Sequence, residues 1–358
     1  MRTDWLNLRI KEKIFDPQKI ASLDYWRALA ILFVVCWHFY PVSINFGLLG
    51  VQIFFVLSGF LVSRPLVRAL LANDKVPWKR FFTARILRIF PSYFAFLLLG
   101  SLVCFLLFSS ESIFIPMDHI WSYILLFKNY NVSNPRAFSH IWSLCVEEHF
   151  YLLLPPLFIF FALLRKPNLA VVILFIFALS QLLVRYIGST NYFEQRGFFF
   201  SDPASTHNNF DGLLYGVLIR IAYEKGILVK HHITQVALFA VGLLILGVSV
   251  YFGTNSKHPH FYFIVFKTLN SMSIALIIWS ALEFKASSLS WLRYLSFYSY
   301  NWYLWHAICV LAIRQYFGGG MLFFAFYLVL SLLVAIIATH LIELNAYKLF
   351  TRKSRAQN

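Results

Sequence analysis

Apolar runs of about twenty residues recur along the whole chain, separated by short polar or charged segments. About that many apolar residues are needed for a helix to cross the hydrocarbon core of a bilayer. The pattern therefore predicts ten membrane spans: 26–44, 48–66, 88–109, 141–164, 169–187, 209–223, 233–252, 261–282, 293–313 and 321–345. The expected fold is all-α, a polytopic integral membrane bundle. It divides into an N-terminal tail (1–25), a transmembrane domain (26–345) and a C-terminal tail (346–358). Two segments between spans are longer, about 110–140 and 188–208. Their polar and aromatic residues, such as Asn129-Tyr130-Asn131 and Ser205-Thr206-His207-Asn208-Asn209, suit either a binding mouth or solvated connectors, and composition favours connectors. No internal repeat, low-complexity tract or interdomain linker is found.

Composition agrees with that pattern. Hydrophobic residues make up 60% of the chain and charged residues 13%, against about 25% charged in soluble domains. The net charge of +16 would suggest nucleic acid in a soluble protein, but its placement gives another reading. Segments 1–27, 64–88, 165–168, 220–232, 283–293 and 346–358 hold 24 of the 31 Lys and Arg residues. They alternate with segments poor in basic residues, so the positive-inside rule places them, and both termini, in the cytoplasm. No nucleic-acid partner is expected. The first apolar run follows a charged tail of more than twenty residues and has no small-residue cleavage site, so no cleaved signal peptide is expected. Cys36, Cys104, Cys145 and Cys309 lie scattered in apolar runs and read as buried thiols.

Against this background a few ionisable residues stand out, because such groups inside a membrane usually mark a pathway or a reaction centre. Arg27 and His38 are eleven residues apart with no charge between them. On a helix they share a face, roughly 16 Å apart along the axis. A snorkelling Arg and a His satisfied by a neighbouring helix explain the pair equally well. Arg85 and Arg88 lie three apart just before the third span. Two guanidiniums on one helix face make an anion clamp, and free N–H groups at a helix start would add to it.

The segment His140-Ile-Trp-Ser-Leu-Cys-Val-Glu147-Glu148-His149-Phe-Tyr151 opens the fourth span. Helical spacing puts His140, Ser143 and Glu147 on one stripe, where a carboxylate would orient an imidazole. Adjacent Glu147 and Glu148 point about 100° apart, so one of them faces a given site. Asp211 reads as a helix N-cap or a site residue, His306 as a packing or hydrogen-bonding group, and Glu343 as a partner for a basic residue. Ser58-Gly59 suits close helix packing. His231-His232 and His258-Pro-His260 lack supporting ligands, and no metal site is expected.

Taken together, these residues resemble the membrane-bound acyltransferase 3 family over nearly the whole chain. The likeness rests on Leu23-Asp-Tyr-Trp-Arg27-Ala-Leu-Ala with His38 eleven residues on, Gly50-Val-Gln-Ile-Phe-Phe-Val-Leu-Ser-Gly59, and the Arg85–Arg88 pair before Ile-Phe-Pro. It continues through His140-Ile-Trp-Ser-Leu-Cys-Val-Glu-Glu148-His-Phe-Tyr and Tyr300-Asn-Trp-Tyr-Leu-Trp-His306. The resemblance implies a ten-helix bundle, in a bacterial inner membrane, that takes an acyl group, usually acetyl, from cytoplasmic acyl-CoA. The acceptor would be a hydroxyl of an extracytoplasmic glycan or lipid-linked glycan, such as lipopolysaccharide O-antigen or another surface polysaccharide. It implies that His38 and Arg27 belong to the catalytic centre with Glu148 or Glu147, and that Arg85 and Arg88 bind acetyl-CoA. Two departures are visible: His149 replaces a frequent Gln, and no Pro follows Glu343. The chain ends thirteen residues after the last span, so a fused hydrolase-like domain of the SGNH type is not expected.

In this reading His38 acts as general base or carries the acyl group as an acyl-histidine, and both routes are open. The competing reading is a transporter of an anionic solute or lipid through the same polar stripe. Such a protein would be expected to show inverted repeats and paired helix breaks, and none is detected.

Overall fold

The computed structural model describes residues 14–346 and 348, apart from 17–18, 43, 132–134, 194–203, 230 and 256–261. Helix accounts for 82% and no strand occurs among the described residues. The helices are α1 (Ala21–Phe39), α2 (Phe46–Val62), α3 (Arg64–Leu71), α4 (Trp78–Leu107), α5 (Ile120–Ile124) and α6 (Trp142–Leu164). They continue with α7 (Pro167–Phe193), α8 (Asp211–Glu224), α9 (His232–Asn255), α10 (Lys267–Ser280), α11 (Leu292–Tyr316) and α12 (Met321–Ala338).

The expected spans overlap helices, the second being divided between α2 and α3, but the helices among the described residues are of two kinds. Five are long and apolar enough to cross a membrane on their own, or six if α2 and α3, bent by 42°, form one span. The bend follows from Pro65, which has no N–H to continue the helix, and from Ser63 Oγ, which donates to the Gly59 carbonyl at 2.7 Å. The helices that fail the test are short or polar. α8 and α10 have 14 residues each, about 21 Å of rise against about 30 Å of hydrocarbon. α1 and α11 carry the Asp, Arg, Asn and His residues that lower their hydropathy.

Those polar helices sit inside. α2 packs against α1, α6, α8 and α10, and α1 packs against α11. Around them α4, α7, α9 and α12 expose large apolar side chains, including Leu98, Phe105, Leu183, Leu244 and Leu322. A long apolar helix with an apolar outer face belongs in lipid, and the chain is an integral membrane protein.

The tightest contact is between α2 and α8. A Cβ on Gly59 would overlap the Leu213 carbonyl, and one on Gly216 would overlap the Val56 carbonyl. The two backbones touch because both positions lack a side chain. A second anchor is buried: Arg185 of α7 pairs with Asp211 of α8 at 2.8 Å and donates to the Asn208 carbonyl at 2.9–3.0 Å. This explains an Arg deep in an apolar run. Asp211 is the first residue of α8; its Oδ1 takes both that pair and the Gly212 N–H, while its buried Oδ2 has no hydrogen-bond partner among the described residues.

The long segment 110–140 packs onto the bundle. Tyr93 of α4 donates to the Tyr123 carbonyl at 2.6 Å. Asn129 reaches Thr206 at 2.7 Å, and Thr206 Oγ1 also shares a 2.6 Å hydrogen bond with His149 Nδ1. His149 thus ties α6 to both connecting segments.

Candidate active site

Four helices converge at the end of the bundle where α1, α4 and α11 begin and α12 finishes. Asp24 and Arg27 occupy the first two turns of α1, Arg85 and Arg88 the third turn of α4, and Arg293 and Ser296 the start of α11. A π-helical turn after α12, Thr339–Glu343, brings Glu343 to the same place. Here Asn301 Nδ2 donates to its carboxylate at 3.0 Å. Asp24, Arg27, Arg88, Arg293, Ser296 and Glu343 border a vestibule of about 260 Å³. It leads past Arg27 and Arg88, which line both spaces, into a slot of about 80 Å³ between α1, α2, α4, α6 and α11. Arg85, Glu147, Glu148, Ser143 and Tyr303 line the slot.

Five basic residues, Lys19, Arg27, Arg85, Arg88 and Arg293, line the two spaces beside four carboxylates, Asp24, Glu147, Glu148 and Glu343. Asp24, the acidic group of α1 at the vestibule, accepts from Arg293 Nε at 3.1 Å and from Ser296 Oγ at 2.9 Å. The Arg27 Nε is buried with no hydrogen-bond acceptor among the described residues. A guanidinium N–H withdrawn from water without an acceptor is costly, and an incoming anionic ligand would satisfy it. Arg85 lies over the Tyr151 ring, 5.8 Å from its centroid.

The two carboxylates are handled differently. Tyr151 Oη and Ser58 Oγ both donate to Glu147 Oε2, at 2.5 and 2.7 Å, so α2 and α6 fix that side chain. Glu148 lines the slot without a hydrogen bond to any described residue. The expectation that only one of them faces the site is corrected, because the slot wraps around the edge of α6 from α2 to α4 and admits both.

Two further expectations change. The Arg85–Arg88 pair is not at a helix start. Pro77 caps α4, and Trp78-Lys79-Arg80 begin it two turns earlier, so the clamp is made by side chains with no contribution from free backbone N–H groups. Nor does Glu147 orient His140. That residue sits in a separate 3₁₀ turn, Ser139–Ile141, which breaks the helical stripe assumed from spacing.

Backbone carbonyls take that role instead, for three histidines packed together. His38 Nδ1 donates to the Val34 carbonyl at 2.8 Å, His306 Nδ1 to Tyr303 at 2.6 Å and His140 Nε2 to Leu304 at 3.1 Å. Their rings meet edge to face in series, His38 to His306 at 4.7 Å and His306 to His140 at 5.0 Å between centroids. With one N–H of each spent, the second nitrogen is the free acceptor. Those of His306 and His140 are buried without partners among the described residues. His306, assigned from sequence to packing, is therefore the neighbour of His38. Only its intramembrane position signalled this. No group of three His, Cys, Asp or Glu among the described residues is arranged to hold a metal, and His258 and His260 lie outside them.

The geometry thus brings Arg27, Arg85, Arg88, Glu147 and Glu148 to one passage and leaves His38 just outside it. Tyr303 leads toward it by way of His306. It lines the slot, its ring lies 5.6 Å from that of His306, and its hydroxyl donates to the His140 carbonyl at 2.8 Å while bonding Ser143 at 2.6 Å.

Comparison with known proteins identifies the family. The profile of the acyltransferase domain matches residues 20–340. The chain is 28% identical over 353 residues to the O-acetyltransferase OatA of Staphylococcus aureus strain NCTC 8325 / PS 47, covering 91% of this chain and 56% of that protein. OatA of strain MRSA252 matches to the same extent. The chain thus spans about half the length of these relatives. No solved structure matches it. With the domain profile matched from the start of α1 to the end of α12, the chain belongs to the acyltransferase 3 family.

Proposed function

We propose that the protein transfers an acetyl group from acetyl-CoA to a hydroxyl of a glycan across the cytoplasmic membrane. The observation that carries this reading is the arginine-lined passage from the vestibule to Tyr303, whose ring neighbours His306, itself packed against His38. Phosphates of the donor would meet Arg88, Arg293 and Arg27 in the vestibule, and Arg85 would follow the arm into the slot. A narrow slot suits an extended pantetheine chain and excludes the nucleotide. Such polar lining is tolerable at membrane depth because protein encloses it.

Tyr303 lines the slot next to His306, and these side chains would shift to let the thioester reach His38. The free Nε2 of His38 takes the proton from the acceptor hydroxyl as the oxygen attacks the thioester carbon. The C–O bond forms, the C–S bond breaks, and the proton passes from His38 to the departing CoA sulfur. General base action of this kind contributes about 10²–10⁴-fold. Arg27 would offset negative charge on the donor or on the developing oxyanion, and Glu148 would hold the acceptor. O-acetylation is supported by the name of the OatA relatives, and the glycan by the resemblance of the motifs.

The test supplies radiolabelled acetyl-CoA to membrane vesicles with their cytoplasmic face outward. Label should become covalently attached to an envelope glycan and should fall at least a hundredfold with His38→Ala at equal membrane levels. Label carried into the lumen and recovered as free solute would establish a transporter instead.

A further inference from the structure

A second, separate opening lies on the flank of α8 that faces away from α2. It is a groove of about 650 Å³ between α7, α8 and α10, and it shares no lining residue with the slot or vestibule. The hydrogen bonds fix how these helices run. Lys225, just past the end of α8, donates to Asn168 Oδ1 at the start of α7 (2.7 Å), while the Phe210 N–H at the other end reaches Gln181 (3.2 Å). α7 and α8 are therefore antiparallel. Lys267, first in α10, bonds Asn209, which precedes α8, at 2.9 Å, so α8 and α10 run parallel. Consequently Lys225, Asn168 and Trp279 gather at one end of the groove and Tyr215 closes the other.

From Tyr215 to Lys225 is ten residues of helical rise, about 15 Å, or half the hydrocarbon thickness of a bilayer. The groove is as deep as one leaflet. Its walls along that length are apolar, with Phe175, Leu218, Ala222 and Met272 among them. Its polar end is cationic. Lys225 keeps N–H groups beyond the one given to Asn168, and Arg165 and Lys166 directly precede that end of α7. The adjacent carboxylate, Glu224, is taken by Arg68 and Arg220. Beyond α10, Glu283 is followed by Lys285.

We propose that this groove is a binding site for one anionic phospholipid. The phosphate sits at Lys225 and Asn168, and one acyl chain lies along α8 toward Tyr215. Basic side chains at the membrane surface attract anionic headgroups, and an indole at the same level is typical of the interface. Length, apolarity and charge fit a lipid of a single leaflet, and the site stands apart from the proposed chemistry.

Native mass spectrometry of the full chain in detergent, with phosphatidylglycerol or phosphatidylcholine of identical chains, tests this. One phosphatidylglycerol should remain bound under activation that strips phosphatidylcholine. Lys225→Glu should reduce that retention about fivefold or more, removing one basic contact and adding repulsion. Ala222→Phe, which fills the groove, should reduce retention of both lipids. Equal retention of the two lipids by the unmodified chain, or unchanged phosphatidylglycerol retention in both variants, overturns the proposal. Lys225 is exposed, so its variant tests the headgroup contact even if filling the groove impairs folding.

Discussion

At the level of single residues, hydrogen-bond accounting separates those held by the protein from those left for a ligand. Glu147 has two donors on one oxygen and is a fixture of the α2–α6 contact. Arg27 Nε and the second nitrogens of His306 and His140 have no partner among the described residues, the expected condition of groups that await one. Arg85 is the clearest test of the donor passage, since it lines the slot and lies over the Tyr151 ring. Arg85→Ala should raise the KM for acetyl-CoA about tenfold or more and leave kcat within about threefold. Loss of one charge-assisted hydrogen bond costs about 1.5–3 kcal/mol, which converts to that range. Steady-state kinetics on membranes would show it, and an unchanged KM would remove Arg85 from the donor site. The Arg pair and the Glu pair were visible in the sequence because charge is rare in apolar runs. The pairing of His38 with His306 was not, since 268 residues separate them and either alone reads as packing.

Among the helices, the polar members of the bundle are also its interior. α1 and α11 lie side by side, joined at one end by Asp24 and Arg293 and at the other by Arg314, whose Nη2 donates to the Phe39 carbonyl at 2.5 Å. That parallel pairing brings His306 level with His38. α2 holds the arrangement by its close approach to α8 at Gly59 and Gly216. Gly59→Val should therefore destabilise the fold by about 3 kcal/mol or more. Overpacking ordinarily costs about 1–3 kcal/mol, and here the obstacle is backbone, which cannot rotate away. A detergent thermal-unfolding series would measure it, and a Tm equal to that of the unmodified chain would mean α2 and α8 do not meet there. The small residue was legible from sequence as a packing position. Its partner helix was not, because nothing local to residue 59 specifies Leu213.

For the molecule as a whole, the proposal requires the vestibule to open toward the cytoplasm, where acetyl-CoA is found. The distribution of Lys and Arg gives that orientation, with the α10–α11 connection inside and the α11–α12 connection outside. Single-cysteine reporters at Ser287→Cys and Gly319→Cys, both exposed positions, would decide it. A membrane-impermeant maleimide applied to spheroplasts should label Gly319→Cys directly and Ser287→Cys only after permeabilisation. The reverse pattern would turn the vestibule away from its donor. Among the native thiols Cys104, Cys145 and Cys309 are buried and Cys36 is half-buried, which favours a low background.

The sequence by itself determined what composition and period can carry. These are the helical class, membrane embedding, the family, and the small set of charged residues too costly to be incidental in an apolar run. Tertiary structure alone decided where those residues meet. It moved the Arg85–Arg88 clamp from a helix start into the third turn of α4, because the helix runs on outward to Pro77. It linked the slot to His38 through Tyr303 and His306, and gave the histidines backbone carbonyls as partners in place of a carboxylate. The physical reason is that helical periodicity fixes which face of a helix a residue occupies and says nothing of what lies opposite. That is set by packing between helices distant in sequence, here by two glycines and two ion pairs.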